Sequence, residues 1–451
     1  MRLLARCLAA FTALAFAAQP VMAQSILRDA ETEAVLQEMS APLVQAAGLQ
    51  PGNVDVVLVN DQSINAFVAG GQVVYLNAGL INAADTANEV QGVIAHELGH
   101  ITGGHVIRSA DSYRAATNIT ILSLLLGVAA MAAGAGDAGM AALMAGQQAA
   151  LGKFLSFSRA QESSADAAGA DYLSKAGISG RGSLDFFGKL LNQEFRYGRS
   201  QADEAQYYRT HPLSGDRITR LREVYEIDPA WDKPGDAQLQ ARFERIKAKL
   251  YGYLAEPAFV LRAYPRSRQD IPARYARAYA YHRDAQVERA LEEVDALLAA
   301  APDDPYFLEL KGQVLLESGR AQEAIPALRQ ATQATGNHPL IATLFGHALI
   351  ATEDQANYAE AEKVLRAAVA RDRWMPFAWY QLGVVYAARG DMARARLATA
   401  EQQVMQRQWL LALGSAQVAE AGLPEGSPDW LRAQDIRLQA QAELEAERER
   451  R

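Results

Sequence analysis

The sequence predicts a mainly α-helical protein in two parts: a helical amino-terminal part that carries a small β-sheet, and an all-α repeat array behind it. Three observations predict this. His96-Glu97-Leu98-Gly99-His100 closes a stretch, Asn88 to Ile94, that reads as helix. Two short runs, Val54–Val59 and Gln72–Leu76, read as strands. In the carboxy-terminal half, prolines, glycines and alanines recur every 34 to 37 residues. A chain of 451 residues leads us to expect two or three domains. Half of it is apolar and about a fifth charged, as in soluble globular proteins. Its net charge of −8 argues against general nucleic-acid binding.

Taken in order, residues 1–23 read as a secretory signal. Arg2 and Arg6 make the basic start, Cys7 to Ala18 the apolar run, and Val21-Met22-Ala23 the cleavage site, so export to the periplasm is expected. Cys7, the only cysteine, would leave with it, which excludes thiol chemistry in the mature chain. Residues 24–227 then form the first domain. Ser25 to Ala47 reads as an amphipathic helix with Ile26, Val35, Leu36, Met39, Leu43 and Val44 on one side. The two strand-like runs follow, with a turn signal in Asn65–Gly71 between them.

Residues four apart on a helix share a face, so His96 and His100 can offer two imidazole nitrogens to one Zn²⁺. Glu97 sits beside the open position, where it can take a proton from water and pass it to a leaving amine. Glu162 and Asp166 are again four apart on a helical stretch. A carboxylate from a second helix is the usual third ligand of the thermolysin-like, or gluzincin, group. Asp166, one turn on, could hold the outer N–H of a ligand imidazole. Ala165, Ala167, Ala168 and Gly169 are small, as close helix packing requires. The competing metzincin pattern needs a third histidine at position 106, which is Val106, and His105 is one residue short. Glu162 is therefore preferred, and His105 reads as a polar residue near the end of the helix, where Gly103-Gly104 relax the backbone. Between the two motifs, Ala115–Gly136 and Ala138–Gly152 carry no charge. They read as two helices packed on the catalytic ones, one with an apolar face turned toward a membrane. A further helix is expected over Leu184–Leu191.

Together HELGH, the later ExxxD and Thr210-His211-Pro212-Leu213 resemble the zinc peptidase family that includes the CAAX prenyl proteases and the heat-shock membrane protease HtpX. The likeness extends through the repeats to the periplasmic branch that assists β-barrel assembly. It implies a bound zinc, held by His96, His100 and Glu162, and places His211 and Arg217 at the active site. His211 then either donates to the oxyanion of the tetrahedral intermediate or binds zinc itself and holds the enzyme off. Arg217 stabilises negative charge or pairs with Glu162 or Asp166. The likeness also makes Gln72–Leu76 an edge strand to which an extended peptide adds.

Asp228–Gly235, with two prolines and a glycine, reads as a boundary, and residues 228–270 as a helical linker that includes Arg242–Leu254. Over 271–415, Pro305, Pro339 and Pro376 recur together with Gly312, Gly346 and Gly383, while Ala290, Ala324, Ala361 and Ala395 mark a second helix. Trp379, Leu382, Gly383, Tyr386 and Ala395 match the tetratricopeptide signature; four repeats are expected, with three extra residues in the Thr352–Asn357 turn. Residues 416–451 are expected to be a helix with a charged tail. The whole predicts a periplasmic zinc metalloendopeptidase that degrades misfolded or stalled outer-membrane proteins and aids their assembly. Its repeats would engage those clients and the β-barrel assembly machinery. The alternative is a chaperone or adaptor working through its repeats, with a latched zinc site.

Overall fold

The computed structural model describes residues 26–105, 120–125, 136–197, 211 and 215–450. The expected signal therefore lies outside the described residues, as does most of the Ala115–Gly136 run. The chain separates into two compact units: Leu36–Gln240, with what precedes Arg28, and Ala241–Arg451 together with Arg28–Val35.

The first unit holds a four-stranded sheet, β1 (Ile26–Leu27), β2 (Asp55–Val59), β3 (Ala66–Ala69) and β4 (Val73–Asn77), in the order β1-β2-β4-β3. Val74 and Leu76 of β4 are buried, and Val73 and Tyr75, which alternate with them, are only half-buried, the pattern of a strand with one face on the core. Parallel β2 flanks β4 on one side and antiparallel β3 on the other. This corrects the expectation that Gln72–Leu76 is an edge. The turn signal in Asn65–Gly71 hides a four-residue strand, which the Gly70-Gly71 pair, both at positive φ, folds back on β4. Among the described residues the edge strand beyond β4 is thus β3.

Helix α1 (Ala30–Ala46) contributes Met39 and Leu43 to the core, and a short helix, α2 (Ala78–Ala83), follows β4. Helix α3 (Ala87–Thr102) is buried from Glu89 to His100, and β3 lies against it. Thr86 caps it by accepting from the Glu89 N–H, while the Glu89 carboxylate reaches back to the Asp85 N–H. Helix α4 (Gly136–Ala176) runs unbroken for 41 residues and joins two stretches the sequence suggested were separate. No proline interrupts it, and its many alanines, the strongest helix formers, carry the helix across the glycines. Helices α5 (Arg181–Tyr197) and α6 (Gly215–Glu226) follow. Among the described residues no helix is long and apolar enough to cross a membrane.

The second unit takes in α7 (Ala237–Leu254) from Ala241 onward and α8 (Pro257–Ala263), followed by helix pairs. These are α9 (Ile271–Arg283) with α10 (Val287–Ala300), α11 (Pro305–Glu317) with α12 (Ala321–Ala334), α13 (Pro339–Ala351) with α14 (Tyr358–Arg371), and α15 (Pro376–Ala388) with α16 (Met392–Met405). A fifth pair, α17 (Trp409–Gly422) and α18 (Pro428–Glu449), continues beyond the four repeats expected. The recurring prolines open α11, α13 and α15, where a missing N–H costs nothing. Two of the three recurring glycines admit a leucine of the partner helix: a Cβ on Gly312 would lie 2.3 Å from Leu328, and one on Gly346 2.6 Å from Leu365, whereas one on Gly383 would make only ordinary contacts. The three extra residues form the 3₁₀ turn Gln355–Asn357.

Candidate metal centre

Two helices of the first unit build the centre by an unusually close crossing. A Cβ on Gly99 of α3 would stand 2.6 Å from the Ala165 carbonyl oxygen of α4, and one on Gly169 3.1 Å from Ala95. Ala165 and Gly169 thus do what their small size suggested, while Ala167 is exposed. The approach brings Glu162 of α4 to His96 and His100 of α3. His96 Nε2 lies 3.1 Å from His100 Nε2 and 3.4 Å from Glu162 Oε2, and His100 Nε2 is 3.4 Å from Glu162 Oε1. His211 joins them, its Nδ1 3.3 Å from His96 Nε2 and 3.2 Å from Glu162 Oε1. The four side chains are buried, and their ligand atoms lie within 4.8 Å of one another.

These spacings fit a single zinc. Bonds of about 2.0–2.1 Å to a tetrahedral ion set neighbouring ligand atoms about 3.3 Å apart, and the five distances above run from 3.1 to 3.4 Å. Nitrogen and carboxylate donors are what zinc takes. Glu97 is buried beside the set, with His211 Nε2 3.5 Å from its Oε1, yet neither of its carboxylate oxygens has a hydrogen-bond partner among the described residues. A buried carboxylate left without partners is costly unless a further group completes it.

Around the cluster, Asp166 Oδ1 stands 2.9 Å from the outer nitrogen of His96. Arg217 of α6 grips Asp166 through Nε and Nη2, both at 2.8 Å, and places Nη1 3.0 Å from Glu162 Oε2. Of the two roles considered for Arg217, the structure brings it to the carboxylates. Phe187 of α5 packs edge-on against His96, its ring centroid 5.8 Å away. Burial opposes a charged His96, but Asp166 and Glu162 raise it to about 10. Burial likewise opposes charge on Glu162, yet His211, His100 and His96 hold it well below the usual carboxylate range. His96 and Arg217 lower the Asp166 carboxyl against its own burial. His105 was the residue underestimated: its Nδ1 lies 2.9 Å from His100 Nδ1. Only the glycine pair ahead of it signalled that the chain turns back there.

Residues 27–225 match Peptidase family M48. Residues 351–406 match a tetratricopeptide repeat, and residues 286–368 match anaphase-promoting complex, cyclosome, subunit 3. The chain thus carries an M48 peptidase domain followed by tetratricopeptide repeats. It is 28% identical over 281 residues to the β-barrel assembly-enhancing protease of Escherichia coli K12, covering 61% of this chain and 56% of the relative. A Yersinia pestis protein of the same name is 25% identical over 382 residues, 83% of this chain and 76% of that one. The E. coli metalloprotease LoiP is 30% identical over 184 residues, 40% of this chain and 65% of its own length. The chain spans rather more than half the length of the E. coli assembly-enhancing protease.

Proposed function

We propose that this chain, an M48 peptidase domain followed by tetratricopeptide repeats, is a zinc-dependent endopeptidase of the periplasm that serves outer-membrane β-barrel assembly and removes clients that stall or misfold. The observation that carries the proposal is the meeting of His96, His100 and Glu162 beside the buried carboxylate of Glu97, which has no hydrogen-bond partner among the described residues. Zinc held by those three would polarise the scissile carbonyl and acidify a water. Glu97 takes the proton of the attacking water and delivers it to the departing amine. Asp166 orients His96, and Arg217 fixes Asp166 and Glu162 in turn. Strand β3, the edge of the sheet among the described residues and lying against α3, would offer an extended substrate backbone hydrogen bonds without regard to its sequence, which suits an unfolded client.

His211 supports a latched resting state over an oxyanion role. Its Nδ1 is as near His96 Nε2 and Glu162 Oε1 as the histidines of α3 are to each other and to Glu162, and four protein ligands would close a tetrahedral site that catalysis needs open. The repeats would recruit the client or the assembly machinery, as the names of the relatives suggest, and the amino-terminal basic and apolar run supports export.

The test compares peptide release from an unfolded β-barrel protein by the wild type, Glu97→Gln and His211→Ala, each with its zinc content verified. Glu97→Gln is expected to lose about 10²-fold or more, and His211→Ala to cut faster than the wild type. Slower cutting by His211→Ala would favour the oxyanion role. If neither wild type nor His211→Ala released peptide, the endopeptidase would fall and the chaperone alternative would stand.

A further inference from the structure

The two histidines of the HExxH helix are not supported alike. The outer nitrogen of His96 faces a carboxylate, Asp166, which Arg217 holds. The outer nitrogen of His100 faces another imidazole: His105 Nδ1 is 2.9 Å away, both rings are buried, and they meet edge to face with centroids 4.9 Å apart.

The direction of this contact follows from the ligand side. His100 Nε2 points into the cluster, 3.1 Å from His96 Nε2 and 3.4 Å from Glu162 Oε1, so its lone pair belongs there and its proton on Nδ1. His100 Nδ1–H therefore donates to His105 Nδ1, and His105 carries its own proton on Nε2.

Three features hold the His105 ring in place. Gly104, at φ +63°, turns the chain back where α3 ends. The His105 carbonyl accepts from Gln161 Nε2 of α4 at 3.2 Å, one residue before Glu162. The ring then lies flat over Gly103: a Cβ there would stand 2.4 Å from His105 Nε2 and 2.7 Å from Cε1. Gly103 itself has φ −70°, which any residue tolerates, so its lack of a side chain serves the ring above it and not the backbone.

We propose that His105 is a positioning residue for the metal centre: by accepting the His100 Nδ1–H it fixes the tautomer and ring angle of that ligand, and Gly103 leaves the space it needs. The proposal rests on the assignment of His96, His100 and Glu162 as zinc ligands. It adds that the chain secures one ligand with a carboxylate and the other with a neutral imidazole.

The test is zinc retention by the full chain, read as the rate of transfer to a chromophoric chelator, with no reference to proteolysis. His105→Ala is expected to lose zinc about 10–100-fold faster than the wild type. His105→Asn, whose side-chain oxygen can take the place of Nδ1 as acceptor, should recover most of the difference, which a merely space-filling role would not give. Gly103→Ala should loosen zinc comparably by displacing the ring, and should add nothing in the His105→Ala background. Wild-type retention in His105→Ala, or equal losses in the Ala and Asn variants, would overturn the proposal while leaving the ligand assignment intact. Should His105→Ala not fold, Gly103→Ala decides, and wild-type retention there overturns it. A wild-type chain that holds no zinc would overturn the ligand assignment and the His105 role together.

Discussion

Glu309 of α11 shows how a single buried side chain can make stability depend on pH. Its Oε2 is buried without a hydrogen-bond partner among the described residues. Burial lifts the carboxyl to about 8; Lys249 opposes the rise, and Asp29, Glu31 and Glu33 add to it. Unfolded, the group returns to the ordinary value of 4.5. Below that value both states are protonated and the folded chain keeps its full stability. As pH climbs from 4.5 toward 8, only the unfolded state ionises, so stability is lost across that window. Glu309→Gln should therefore flatten the pH dependence and raise the urea midpoint at about pH 8–9, while changing little at about pH 4. Equal midpoint shifts at both ends would refute this. No sequence pattern marks Glu309, because its environment comes from residues far away in the chain. The ligands are the opposite case. His96, Glu97 and His100 are one helical turn, and Glu162 with Asp166 another, so their spacing alone shows which side chains share a face. His211 sits outside any such period and was placed by resemblance.

At the scale of elements, what was legible is whatever repeats or alternates. The recurring Gly312 and Gly346 announced close helix pairs, and the structure shows the leucines they admit. Strand β3 was missed because four residues, Ala66–Ala69, are too few to show alternation, and the glycines after them dominate the local signal. The crossing of α3 and α4 tests how tightly elements set the site. Gly99→Ala puts a methyl against the Ala165 backbone, which no rotamer change can relieve. It should cost about 1–3 kcal/mol by urea denaturation and speed zinc loss, since Glu162 is three residues from Ala165. Gly188→Ala on α5 is the control: its Cβ meets nothing within 4 Å. In a helix it should be neutral or stabilise by up to about 1 kcal/mol. Equal effects of the two would mean that helix propensity, and not the crossing, governs.

Over the whole chain, the sequence reads as a peptidase half followed by repeats, and Ser25–Ala47 as one helix of the first half. The structure instead counts Arg28–Val35 with the second unit, some 200 residues away in sequence. Charge explains the attachment. Lys249 of α7 is buried and pairs with Asp29 Oδ2 at 2.5 Å, while Glu31 meets Lys249, Arg245 and the Tyr275 hydroxyl. Burial opposes ionisation of Asp29, yet Lys249 and hydrogen bonds from Thr32 leave its carboxyl below the ordinary value. Its ionised form therefore stabilises the fold above that value, and the contribution is lost as pH falls through the depressed one. Asp29→Asn keeps the shape and an acceptor for Thr32 but removes the charge facing Lys249. It should cost about 1.5–3 kcal/mol at neutral pH, with Glu31 still facing the lysine. The loss should appear in the second unit, although the substitution lies near the amino terminus. Four of the five tryptophans, Trp374, Trp379, Trp409 and Trp430, lie there, so tryptophan fluorescence during urea unfolding reads that unit directly. An unchanged fluorescence midpoint at neutral pH would mean that Arg28–Val35 merely rests on the second unit. A lowered midpoint that converges on the wild type in acid would make the segment part of that unit's fold, held there by charge.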